Sequence, residues 1–131
     1  MRLLLDTHIA LWTVTDSPRL PRRARQLVSA SDVELFVSVV SLWEVAIKHA
    51  RRRGRPGDLN VSAAELTKLI DGAACALLDV SRSHVLELEA LPQLHGDPFD
   101  RMLVAQARAE PLRLLTADAV LRAYGSVIEF V

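Results

Sequence analysis

Short apolar runs alternate along this chain with longer segments of helical periodicity, and that alternation constrains its fold more than any other feature. The runs are Leu3-Leu4-Leu5, Leu35-Phe36-Val37, Ala76-Leu77-Leu78, Leu112 to Leu115 and Val127 to Phe130. Each is too short for a helix and apolar enough for a buried strand. Ile9 to Val14 predicts a short helix broken by Ser17-Pro18, and Pro21 to Ala30 a second with its proline in the tolerated first turn. Ser41 to Arg53 carries Leu42, Val45, Ala46 and His49 or Ala50 at helical spacing, with Gly54 to stop it. Ser62 to Ala74 opens on a capping serine with Glu65 placed to complete the box. Ser81 to Leu91, Pro98 to Glu110 and Ala117 to Tyr124 complete the helices. Strands alternating with helical segments throughout predict an α/β sandwich around a mostly parallel sheet.

The chain has 131 residues, half of them apolar, which suits a single domain over 1–131 with a sizeable core and excludes intrinsic disorder. Net charge is zero, from 16 basic and 16 acidic residues, but the charges are segregated. Arg19, Arg22, Arg23 and Arg25 form one basic group, and Arg51, Arg52, Arg53 and Arg55 another. The acids are scattered, several at the ends of apolar runs, so basic flanks can stand beside an acidic pocket. A lone cysteine, Cys75, excludes an internal disulfide and a Cys-rich zinc site. Its apolar surroundings predict a buried, inert thiol. No stretch reaches the roughly 18 apolar residues of a membrane span. Asp6 interrupts the first apolar run too early for a secretory signal. The expected location is therefore the cytoplasm.

In open parallel sheets, ligands bind outside the carboxyl ends of the strands. Asp6 ends the first run, Ser38 to Glu44 follows the second, and Thr116 and Asp118 follow the fourth. Asp97-Pro98-Phe99-Asp100 adds acids at the start of a helix. In a parallel sheet these segments can converge at one edge. Gathered carboxylates repel or take up protons unless a cation sits among them. A site of oxygen donors, without histidine or cysteine ligands, favours Mg²⁺ or Mn²⁺ over zinc. Such an ion can activate water and stabilise the leaving oxygen of a phosphodiester.

Each acid also has a structural explanation. Ser41-Leu42-Trp43-Glu44 matches a capping box. Asp97 before Pro98 is a good N-cap, with Asp100 in the favourable first turn. Asp6 and Asp118 suit the caps of the first and last helices. Taken singly, Glu44, Asp97 and Asp118 read as caps. Asp6, at the end of a buried strand, needs a partner. Only the set of four at one expected edge argues for a site.

Four ordered segments resemble the PIN-domain family and, within it, the VapC toxins of bacterial toxin–antitoxin pairs. They are Leu4-Leu5-Asp6-Thr7-His8, Ser38 to Lys48, His95 to Ala107, and Leu115-Thr116-Ala117-Asp118. No single segment is specific; their order and spacing carry the resemblance. It implies a PIN-like α/β/α sandwich and a Mg²⁺-dependent endoribonuclease, with Mn²⁺ as the alternative ion. Asp6, Glu44, Asp100 and Asp118 are then the acids of the site, Asp6 and Asp100 holding the metal directly. Thr116 is the hydroxyl that orients them, with Ser41 and Thr7 as further candidates. Asp97 stands three residues before Asp100, and the family spacing favours Asp100, leaving Asp97 as a cap. His8 departs from the asparagine of many PIN proteins.

The resemblance further implies an RNA substrate, a cognate antitoxin and a homodimer. The rival function is a catalytically silent PIN-like module that binds RNA or protein. A Mg²⁺-dependent phosphatase is disfavoured because no Asp-x-Asp follows the first strand, and a nucleotide site because no glycine-rich phosphate loop exists. Arg51 to Arg55 either meet RNA phosphates or form a solvated helix end. Arg19 to Arg25 read as a polar face or as the surface that meets an acidic antitoxin segment. Trp12 and Trp43 are expected in the core; exposed, they would mark an interface. His49, His84 and His95 lack metal spacing and are expected at the surface or in loops, with His95 a weak neighbour of the site.

Overall fold

A computed structural model describes residues 1–131. The five apolar runs form strands β1 (Arg2–Leu5), β2 (Glu34–Ser38), β3 (Cys75–Leu78), β4 (Arg113–Thr116) and β5 (Ile128–Phe130). Their order is β3-β2-β1-β4-β5, and every neighbouring pair is parallel. The intervening segments form α1 (Thr7–Val14), α2 (Arg22–Val28), α3 (Val39–Ala50), α4 (Ala63–Asp71), α5 (Arg82–Ala90) and α6 (Pro98–Ala109). The last expected helix is wound as a 3-10 helix, Ala119–Val127, broken where Gly125 takes a φ of 83°.

Strand β1 divides the core. Leu3 and Leu5 face one side, with Ile9 and Ala10 of α1, Ala24 of α2, and Leu66 and Ile70 of α4. Leu4 faces the other, with Leu103 and Val104 of α6, Leu114 of β4, and Leu121 of the 3-10 helix. All three leucines are fully buried. Burying each contributes about 1.5–3 kcal/mol. A parallel sheet needs both faces covered, which is why β1 is apolar throughout instead of alternating.

Several starts and stops follow the sequence. Ser62 and Glu65 close a full capping box on α4. Asp97 caps α6, with Pro98 at its first position. Helix α3 differs from expectation. Ser38 caps it, its hydroxyl accepting the Val40 N–H at 3.0 Å, so the helix starts where β2 ends. Ser41 therefore lies inside the helix, and Ser41-Glu44 is not a capping box. The helix stops at Ala50, leaving Arg51 to Arg55 outside it, and Gly54 (φ 71°) shapes the following turn instead of ending the helix.

Three side chains depart from their expected environments. Trp43 is 57% exposed on α3, with Phe99 edge-on at 4.9 Å. His84 is fully buried: its Nδ1 accepts the Ser81 N–H at 3.0 Å, which leaves Nε2–H to donate to Glu110 at 2.7 Å. Cys75 is half-buried on edge strand β3, where burial still pushes its thiol pKa up.

Register fixes what lies at the carboxyl edge. Leu5 pairs with Val37 of β2 and Leu115 of β4, so Asp6, Ser38 and Thr116 come next, side by side. Strand β1 sits between the half of the sheet that continues to β2 and β3 and the half formed by β4 and β5. That change of direction opens a crevice at this edge, the position where open α/β sheets place their ligands.

Candidate active site

Asp6 emerges from β1 directly into α1. Its Oδ1 accepts the Ile9 N–H at 2.8 Å, capping the helix, and its Oδ2 accepts the Thr116 hydroxyl at 2.5 Å. Thr116 in turn accepts the Asp118 N–H at 3.0 Å. One hydroxyl thus ties the end of β1 to the turn after β4. Burial pushes the Asp6 carboxyl up, against the opposing pull of these two hydrogen bonds and of His8, and Glu44 adds to the rise. The cap expected of Asp6 does not exclude the site role expected of it, because a carboxylate has lone pairs for both.

Glu44 projects from the middle of α3 and is buried. Thr7 donates to its Oε1 at 2.6 Å, and Lys48, one turn on, pairs with its Oε2. Thr7 and Ser41 hydroxyls stand 2.9 Å apart. Thr7 has one proton and gives it to Glu44, so Ser41 must donate to Thr7. This relay of hydroxyls explains why Ser41 and Thr7 are both buried without violating the rule that buried polar groups are paired.

Asp100 and Asp97 approach from α6. Asp97 Oδ1 accepts the N–H groups of Phe99 at 2.9 Å and Asp100 at 3.1 Å. Asp118 likewise accepts the Val120 N–H at 3.0 Å and caps the 3-10 helix. Asp100 caps nothing and its side chain accepts no hydrogen bond; its Oδ2 lies 3.8 Å from His95 Nε2. Burial, reinforced by Asp97, Asp6, Glu44 and Asp118, pushes the Asp100 carboxyl up to about 7.

All four sequence-predicted acids line one pocket of about 120 Å³, together with Asp97, Thr7, His8 and Lys48, and no apolar residue lines it. Thr116 is not part of this lining and meets it through its hydrogen bond to Asp6. The donor set is hard oxygen and strongly negative, which fits a divalent cation such as Mg²⁺. No three of these side chains are drawn close enough to enclose an ion by themselves.

Two cations at the site were not anticipated. Lys48 could have been found from its i, i+4 spacing to Glu44. Arg19 lines the cavity adjoining Asp6 and Asp118, although its segment reads as a plain polar face. His95 is also better placed than expected: Nδ1 lies 2.8 Å from the Tyr124 hydroxyl, and buried Arg101 donates to that hydroxyl at 3.2 Å. These contacts hold the loop that leads into Asp97. None of Arg51, Arg52, Arg53 and Arg55 lines the acidic pocket.

Residues 3–126 match the family described as PIN domain. Ribonuclease VapC22 of Mycobacterium tuberculosis (strain ATCC 25618 / H37Rv) is 31% identical over 124 residues, covering 93% of this chain and 91% of its own. Among solved structures, VapBC2 from Rickettsia felis bound to a DNA fragment from its promoter superposes with a TM-score of 0.68 at 14% identity, over 100% of this chain and 98% of that one. FitAcB from Neisseria gonorrhoeae does so with a TM-score of 0.64 at 20% identity, over 98% and 96%. A toxin–antitoxin complex from Klebsiella pneumoniae gives 0.64 at 18% identity, over 97% and 95%. These structural likenesses establish the fold.

Proposed function

The chain belongs to the PIN-domain family, and from that premise we propose that residues 1–131 form one PIN domain acting as a Mg²⁺-dependent endoribonuclease toxin. The observation that carries this is the convergence of Asp6, Glu44, Asp100 and Asp118, from four separate segments, on a pocket without apolar lining. A protein that merely used these acids as caps would have no reason to aim them at one another.

Asp6 and Asp100 are the metal ligands in this proposal. When bound, the ion lowers the pKa of a coordinated water and neutralises charge on the phosphate. Thr116 and the Ile9 N–H hold the Asp6 carboxylate in one orientation, leaving its remaining lone pairs for the pocket. Thr7 and Lys48 hold the Glu44 carboxyl in place at the pocket wall, where it can orient water for attack at phosphorus. Asp118 completes the ring. Mn²⁺ would serve with the same donors.

The relative named as a ribonuclease supports an RNA substrate. The neighbouring toxin–antitoxin complex supports regulation by a cognate antitoxin. Exposed Trp43 with Phe99 beneath it offers an aromatic contact for that partner or for a second copy in a homodimer. No helix is long and apolar enough to cross a membrane, in keeping with a cytoplasmic toxin. Sequencing RNA ends after brief expression tests the proposal. Cleavage is expected at few sites and is lost in Asp6→Asn and Asp100→Asn; cutting that survives both substitutions overturns it.

A further inference from the structure

A groove leaves the acidic pocket beside His8, and the carboxylates do not account for it. We propose that His8, Trp12 and Arg19 form a nucleotide subsite. One unpaired base of the RNA rests on the His8–Trp12 pair, and an adjoining phosphate meets the Arg19 guanidinium. The subsite rests on the ribonuclease proposal and names where the substrate is held beside the cut.

Continuity is the first support. His8 lines the acidic pocket and both neighbouring cavities. One cavity, about 430 Å³, is lined by Asp6 and Asp118 together with Trp12, Arg19 and Gly57. The other, about 340 Å³, shares Trp12 and Arg19 and takes in the segment 57–61. Gly57 has a φ of 89°, a conformation that suits glycine, and so presents a wall without a side chain. A strand of nucleic acid entering the pocket has a path to follow, with volumes typical of small-molecule sites.

Chemistry is the second. His8 and Trp12 stand one turn apart on α1, so they share a helix face. Their ring centroids are 5.6 Å apart with planes inclined at 43°. Trp12 is half-buried and packs against the core, which fixes its ring. His8 is exposed. Unpaired bases stack on such rings without regard to sequence.

Charge is the third. Four carboxylates repel a phosphodiester, and a cation along the approach offsets that repulsion. Arg25 is committed to Asp16 at 2.6 Å, and Arg23 lies 3.9 Å from Glu129. Arg19 makes no ion pair, and only its backbone N–H is engaged, with the Ser17 hydroxyl at 3.1 Å. Arg19 therefore lines a cavity together with Asp6 and Asp118 while its guanidinium is paired to no acid.

The test is binding of a fluorescein-labelled, single-stranded oligoribonucleotide of mixed sequence to the Asp100→Asn chain, across a series of salt concentrations. Adding Arg19→Ala should flatten the slope of log affinity against log salt by about 0.7, one phosphate contact on a single strand. Adding Trp12→Leu, which stays apolar toward the core, should weaken binding about five-fold or more with the slope unchanged, and His8→Ala should do likewise. Trp12→Phe, which keeps an aromatic face, should retain most of the affinity. If the wild-type chain cuts RNA but the added Arg19, Trp12 and His8 substitutions leave affinity and slope of the Asp100→Asn chain unchanged, the groove belongs to a protein partner and the subsite is overturned. A wild-type chain that neither cuts nor binds RNA removes the ribonuclease proposal and the subsite with it.

Discussion

Asp100 should destabilise the metal-free protein, and replacing it by Asn should raise stability while abolishing cleavage. Its carboxyl is pushed from 3.8 to about 7 by burial and by four neighbouring acids. In the unfolded chain it ionises near the ordinary value. Between those two values the folded state holds a proton that the unfolded state has lost, so stability falls as pH rises through this window. Above about 7 the loss is complete; below 3.8 it is absent. The full difference corresponds to about 4 kcal/mol. The side chain is 21% exposed, and the water that reaches it screens the repulsion, which brings the cost to about 1–2 kcal/mol. Asn mimics the neutral acid but forfeits a first-turn charge on α6, worth about 0.3–1 kcal/mol. The net gain should be about 1 kcal/mol, or about 3–5 °C in melting temperature for a domain of this size. Thermal melts in EDTA at pH 7.5 read this directly. At pH 4.5 the gain should shrink, because much of the wild-type Asp100 then keeps its proton in the folded state. Adding Mg²⁺ at pH 7.5 should stabilise the wild type more than the variant, since binding to the folded state adds to stability. An Asp100→Asn protein that melts at or below the wild-type temperature in EDTA at pH 7.5 would refute the argument that these acids crowd one another.

Two further outcomes follow from single hydrogen bonds. Thr116→Val removes the donor to Asp6 and the acceptor of the Asp118 N–H; it should cost about 1–3 kcal/mol in urea denaturation and lower RNA cleavage, whereas Thr116→Ser should restore both. Ser62→Ala breaks the capping box of α4, which contributes no residue to the acidic pocket; it should cost about 1 kcal/mol and leave the cleavage rate per folded molecule unchanged.

The sequence by itself determined the fold class and the order of the elements. Leu3-Leu4-Leu5 can be apolar without alternation only in a strand covered on both faces, and the structure places those residues in two separate core clusters. The capping box at Ser62 and the Asp97-Pro98 start were likewise legible, because local hydrogen bonds and backbone restrictions act between near neighbours. Boundaries that depend on a competing neighbour were not. Local sequence points to Ser41 as the cap of α3, and β2 running straight into the helix makes Ser38 the cap instead. The burial of His84 depends on Glu110, far along the chain, and the exposure of Trp43 on how α3 is turned against the sheet. Identical reasoning applies to the site. Each acid alone could be a cap, and three of them, Asp6, Asp97 and Asp118, are caps as well as pocket residues. Only the tertiary structure decided that Asp6, Glu44, Asp100 and Asp118 share one hollow and that Arg19 stands beside it, because parallel pairing sets Leu5 level with Val37 and Leu115 and so brings distant strand ends to a common edge.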